Sequence, residues 1–96
     1  MIAPILQPII RRAILDLVAD MGGELNDEMV TILLNEIGHR VARTDIRVEI
    51  AWLGEAGLLT AETVGLFEVA RSTPAGLDVA AGTLRFDGVS RHKTGD

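Results

Sequence analysis

A very short link between two helical stripes constrains this chain more than any other feature. Met29, Val30, Leu33, Leu34 and Ile37 recur at the spacing of one helix face, as do Ile46, Ile50 and Leu53 further on. Gly38 ends the first stripe, because only glycine enters the left-handed region freely. Only His39, Arg40 and Val41 then separate it from a helix that starts between Ala42 and Thr44. Thr44 would cap that start well and Ala42 poorly. Helices joined so tightly cannot lie antiparallel side by side and must cross steeply. Asn26 is a good N-cap for the earlier helix, with Asp27 and Glu28 in the first turn, where the macrodipole favours negative charge.

Upstream, Ile10, Ala13, Ile14, Leu17, Val18 and Met21 form the apolar face of a first helix. Pro8 suits its first turn and Gly22-Gly23 its end, while Arg11, Arg12, Asp16 and Asp20 fall on the opposite, wet side. The apolar run Met1 to Leu6, broken by Pro4, is expected to lie on another subunit or on the domain core. Downstream, the third helix ends at Gly57, and Leu58 to Thr63 and Leu66 to Ala70 read as two strands around a Val64-Gly65 turn. Thr73-Pro74 starts a last helix with the stripe Leu77, Ala80, Ala81, Leu84. From Arg85 the segment RFDGVSRHKTGD has no periodicity, so residues 85–96 are expected to be a mobile tail. The expected fold is mainly α (α+β): one domain over residues 1–84, with a three-helix core, a two-stranded hairpin and a short C-terminal helix.

Composition narrows the function. With 96 residues the chain makes one domain, and with aromatics at 3% its core must be aliphatic. The absence of cysteine excludes disulfides, thiolate metal sites and a cysteine nucleophile. No apolar run approaches a membrane span and no signal-like segment opens the chain, so a cytoplasmic protein is expected. A net charge of −5 precludes attraction of nucleic acid over the whole surface and leaves only a local patch. His39 and His92 lie far apart without ligand spacing, and no HExxH, Ser-His-Asp order or glycine-rich nucleotide loop is present. GVSRHKT lacks the glycine before Lys93 that a phosphate loop needs. The carboxylates read as outward or capping groups. No enzyme, cofactor or metal is expected.

The stretch IRVEIAWLGEAGLLT and the return STPAGLDVA resemble the winged helix-turn-helix regulators. GELNDEMVTILLNEIGHRVARTDIRVEIAWL is similar to the small arsenic-repressor-like proteins of Mu-like phages and prophages, and the likeness runs from about residue 8 to about residue 84. The resemblance implies a regulator-like, DNA-binding dimer with the third helix, about 43–56, in the major groove and the hairpin as a wing. On this chain it implies Arg47 on guanine or phosphate, Thr44 on phosphate or base, Val48 and Ala51 against thymine methyls, and Arg40 and Arg43 on the backbone. The dimer interface would draw on Ile2, Ile5, Leu6 and Ile9 with Leu77, Ala81 and Leu84.

Two features depart from that pattern. The hairpin tip Thr63-Val64-Gly65-Leu66 has no cation and is flanked by Glu62 and Glu68. The third helix also carries Asp45, Glu49 and Glu55. Three side-chain readings therefore stay open. Arg40, Arg43 and Arg47 form a phosphate clamp or a solvated cluster paired with Asp45 and Glu36. Val48 and Trp52 present a partner surface, or Trp52 lies over the first helix or the wing root and completes the core. His39 contacts phosphate or caps the second helix. The alternative function is a protein–protein interaction module that keeps the winged fold without binding DNA.

Overall fold

The computed structural model describes residues 1–91. The order is α1 (Gln7–Asp20), β1 (Glu24–Asn26), α2 (Asp27–Glu36), α3 (Arg43–Glu55), β2 (Leu59–Val64), β3 (Phe67–Ser72) and α4 (Pro74–Ala81). The protein is an α+β domain of four helices and a three-stranded antiparallel sheet in the order β1-β3-β2. Its core is aliphatic: Ile10, Ile14, Leu15 and Val18 of α1 meet Val30 and Leu34 of α2 and Ile46, Ile50 and Leu53 of α3. Each such side chain contributes about 1.5–3 kcal/mol on burial.

The caps follow local chemistry. Asn26 accepts a hydrogen bond from the Met29 N–H at 2.8 Å, and Thr73 accepts one from Gly76 at 3.0 Å. The N-cap of α3 falls on Ala42, not Thr44, because the Asp45 side chain reaches back to accept the Ala42 N–H. Gly38 adopts φ +104°, and the Asn35 amide donates to the Val41 carbonyl at 2.9 Å, which fixes the path from α2 into α3.

Several expectations are corrected. The sheet has a third strand, β1, paired with β3 from Glu24↔Arg71 to Asn26↔Val69. Three residues are too few to show an alternation, so its partner lies unannounced far along the chain. The hairpin closes at Val64↔Phe67, one residue later than expected, with Gly65 and Leu66 in the turn. Helix α4 stops at Gly82, so Leu84 lies beyond it.

Arg11 and Arg12, read as solvated, are both buried, because α1 is packed by α4 on one flank and by α2 and α3 on others. Met21, read as core, is half exposed. The segment after Arg85, expected to be mobile, lies against the domain as far as it is described. Phe86 and Val89 pack on the core, and the Ser90 N–H donates to the Pro8 carbonyl at 3.1 Å. Arg11 and Arg12 hold the same segment through the carbonyls of Gly88 and Ser90. His92 and Lys93 lie outside the described residues.

Candidate functional site

Helix α3 buries Ile46, Glu49, Ile50 and Leu53 and turns Thr44, Arg47, Val48 and Ala51 outward. Val48 is 63% exposed. Arg40, in the turn before α3, is exposed and has no ion pair among the described residues. The outward side of α3 thus runs from the N-terminal segment, beside Thr44 and Val48, to the β2–β3 hairpin, beside Arg47 and Ala51. At the hairpin tip, Val64 and Leu66 are also exposed.

The two helix arginines are not loose on that surface. Arg43 Nε donates to Asp27 Oδ2 at 2.8 Å, and Arg47 Nε donates to the same oxygen at 2.6 Å. Both also donate through Nη2 to the Leu66 carbonyl of the hairpin turn. Asp27 Oδ1 accepts the backbone N–H of Glu68 at 3.0 Å. One carboxylate therefore ties the start of α2, the outer side of α3 and strand β3 together. Burial alone would raise the Asp27 carboxyl; the hydrogen bonds from Arg43, Arg47 and Glu68 outweigh it and hold the group well below the usual carboxylate range. Arg43 is pushed up in turn by its bond to Asp27, and its guanidinium lies 5.3 Å from the Phe67 ring centre.

Of the two readings open for these arginines, a phosphate clamp or a cluster paired with Asp45 and Glu36, neither names Asp27, which pairs with both. Asp27 and Arg43 are 16 positions apart, and no helical spacing connects them. The one available signal was an acidic residue placed just before an apolar stripe, with two arginines one turn apart on the next helix.

A second carboxylate was misread as outward. Glu49 is 2% exposed and accepts Arg11 Nε at 2.7 Å and the Gln7 amide at 3.2 Å. The Arg11 guanidinium also stacks 3.8 Å from the Trp52 ring centre, and Phe86 meets that ring edge-on at 6.1 Å. Trp52 is therefore half-buried over the first helix and under the C-terminal segment, which agrees with the reading in which it completes the core and takes it off a partner surface shared with Val48. Gly88 sits so close that a Cβ there would come within 2.8 Å of the indole.

The residues expected at a dimer interface divide. Ile2 is buried in its own core. Ile5, Leu6, Ile9, Leu77 and Leu84 remain 41% to 82% exposed, and Ala81 is exposed as well. Leu6 and Ile9 border an open apolar groove that runs to His39, Arg40 and Val41. Among the described residues no cluster of three metal-ligating side chains forms, and no helix is long and apolar enough to cross a membrane.

No family profile matches the chain, and no solved structure matches it. A protein of Escherichia phage Mu, named uncharacterized protein gp26, is 38% identical over 81 residues, which cover 84% of each chain. The kinship with Mu-like phages expected from the GELNDEMVTILLNEIGHRVARTDIRVEIAWL stretch has its support in this relative, and the chain belongs to the family of the phage Mu protein gp26.

Proposed function

We propose that this protein is a winged helix-turn-helix DNA-binding protein of the arsenic-repressor-like kind, acting as a regulator with α3 in the major groove and the β2–β3 hairpin as its wing. The element order and the β1-β3-β2 sheet are compatible with that fold. One observation carries the reading: the outward side of α3, with Thr44, Arg47, Val48 and Ala51, is left uncovered by the rest of the chain beside the hairpin. Arg47, held at Nε by Asp27 and at Nη2 by the Leu66 carbonyl, keeps Nη1 for a phosphate or a base edge, and Val48 and Ala51 offer methyl groups to thymine. Arg40 and Arg43 flank the helix start, where backbone phosphates would pass.

The functional unit we propose is a homodimer. The exposed Ile5, Leu6 and Ile9 of the N-terminal region, with Leu77, Ala81 and Leu84, are the aliphatic side chains a second copy would cover. Light scattering at micromolar concentration should report twice the 10.3 kDa chain mass. Fluorescence anisotropy on duplex DNA at low salt should show binding that Arg47→Ala weakens by at least tenfold. Absence of binding, or binding indifferent to the substitution, overturns the reading.

A second reading, a protein-interaction module that keeps the fold, is favoured by the hairpin. Glu62 and Glu68 flank a tip whose exposed side chains, Val64 and Leu66, are apolar, so the hairpin itself offers a phosphate backbone no cation. That reading predicts no DNA affinity and a partner that covers Val48, Val64 and Leu66.

A further inference from the structure

We propose that Arg43 and Arg47, held on Asp27, form a site for a single backbone phosphate of duplex DNA; this deepens the reading above and rests on it. Two guanidinium groups share one fully buried carboxylate, so these three groups together carry one net positive charge and not two, and Glu28, beside Asp27, also acts on Arg43. Each arginine is fixed at Nε by Asp27 and at Nη2 by the Leu66 carbonyl, and Arg43 Nη2 also reaches Asp27 Oδ1. The Nη1 group of each has no hydrogen-bond partner among the described residues, and the side chains remain 36% and 42% exposed. The carboxylate cannot swing away to free them, because its other oxygen accepts the Glu68 N–H of β3.

Two planar donor groups held side by side, with unused N–H groups and a net charge of one, match a singly charged phosphodiester. Asp27 is then a positioning residue and an internal counter-ion. It sets where the two cations stand on the edge between α3 and the hairpin turn, and it subtracts one charge from what they offer to DNA. Two arginines on the DNA-facing surface should therefore count as one phosphate contact.

The test is the salt dependence of duplex binding by the full chain. Arg43→Gln alone abolishes the net charge, so the slope of log affinity against log salt should fall by about 0.9 for each bound protomer, and Arg47→Gln should do the same. Asp27→Asn should steepen the slope by about 0.9. A readout on the unmutated chain guards against a folding defect: the side-chain Nε–H resonances of Arg43 and Arg47 should shift together when duplex is added at constant ionic strength. If duplex binds while these resonances stay still, or the two glutamine variants keep the parent slope, the phosphate site is wrong and the DNA-binding reading survives. If inorganic phosphate at matched ionic strength moves the resonances as far as duplex does, the site takes a free anion and the backbone assignment falls. If the unmutated chain binds no duplex, the reading itself fails and this inference with it.

Discussion

Two clusters of arginine and carboxylate sit on α3, at Glu49 and at Arg43 with Arg47, and they differ in one physical respect. In the Arg11–Glu49 cluster both partners are out of water, with side-chain exposures of 11% and 2%. Arg11 is enclosed by three contacts: Glu49 at Nε, the Gly88 carbonyl at Nη1, and the Trp52 ring on its face. In the Asp27 cluster only the carboxylate is enclosed, and both arginines reach the surface. The first cluster is consumed by the fold and joins α1, α3 and the C-terminal segment. The second joins α2, α3 and the hairpin and keeps donors to offer outside. A charge on a helix is therefore available to a partner only where its counter-ion, and not the charge itself, is the buried member.

Arg11→Ala should produce the largest change if that distinction holds. The substitution leaves Glu49 buried with only the Gln7 amide as donor, an arrangement that destabilises by about 3–5 kcal/mol. Chemical denaturation followed by the fluorescence of the single tryptophan, which touches Arg11, measures it directly. Replacing both partners, Arg11→Met with Glu49→Leu, should recover most of the loss, because no unpaired charge then remains inside. A single-variant effect below about 1 kcal/mol would mean the pair is more open to water than its burial indicates.

Asp27→Asn should have an intermediate effect, about 2 kcal/mol at neutral pH, since the freed arginines can turn to solvent whereas an arginine-less Glu49 cannot. Its pH dependence is the sharper readout. The folded-state carboxyl sits below its ordinary value of 3.8, so its contribution is complete above that value and fades as pH falls toward the depressed one. The stability curves of the parent and the asparagine variant should therefore run apart at neutral pH and converge in acid, starting near pH 4. Parallel curves would show that the Asp27 charge is not what holds α2, α3 and β3 together.

What could be read from sequence alone tracks this same distinction between local and distant partners. The α2–α3 link, the Asn26 and Thr73 caps and the core stripe Ile46, Ile50, Leu53 depend on neighbours a few residues away, and these were legible. The same helical period turns Thr44, Arg47, Val48 and Ala51 outward, as found, but also Trp52, which packs on the core instead. Asp27 stands in the first turn of α2 as read, but its burial went unseen, and Glu49, Arg11 and Arg12 were misread, because a charged side chain gives no sign that another element will cover it. Arg11 meets Glu49 across 38 positions, and Arg12 meets the Val79 carbonyl across 67. The three-residue β1 and the docked segment beyond Arg85 were missed for a related reason. Their partners, β3 and α1 with Trp52, are set by topology and not by any pattern within the segments.

Arg71 completes the gradient and should give the smallest effect. From β3 it bridges Glu24 of β1 at 2.7 Å and Glu62 of β2 at 2.8 Å, so its hydrogen bonds are as short as those of the buried clusters. Each of these carboxylates is 60% exposed, however, and Arg71 itself is 43% exposed. Water competes for every group, and mobile ions screen the attraction. Arg71→Ala should therefore destabilise only slightly at low salt, and by less at 1 M salt. The loss in Arg11→Ala should be nearly independent of salt, because no ion reaches the Glu49 side chain. If Arg71→Ala proved as damaging as Arg11→Ala, bond length and not burial would rank the three clusters. The rule that a buried counter-ion leaves its exposed partners available would then lose its physical basis.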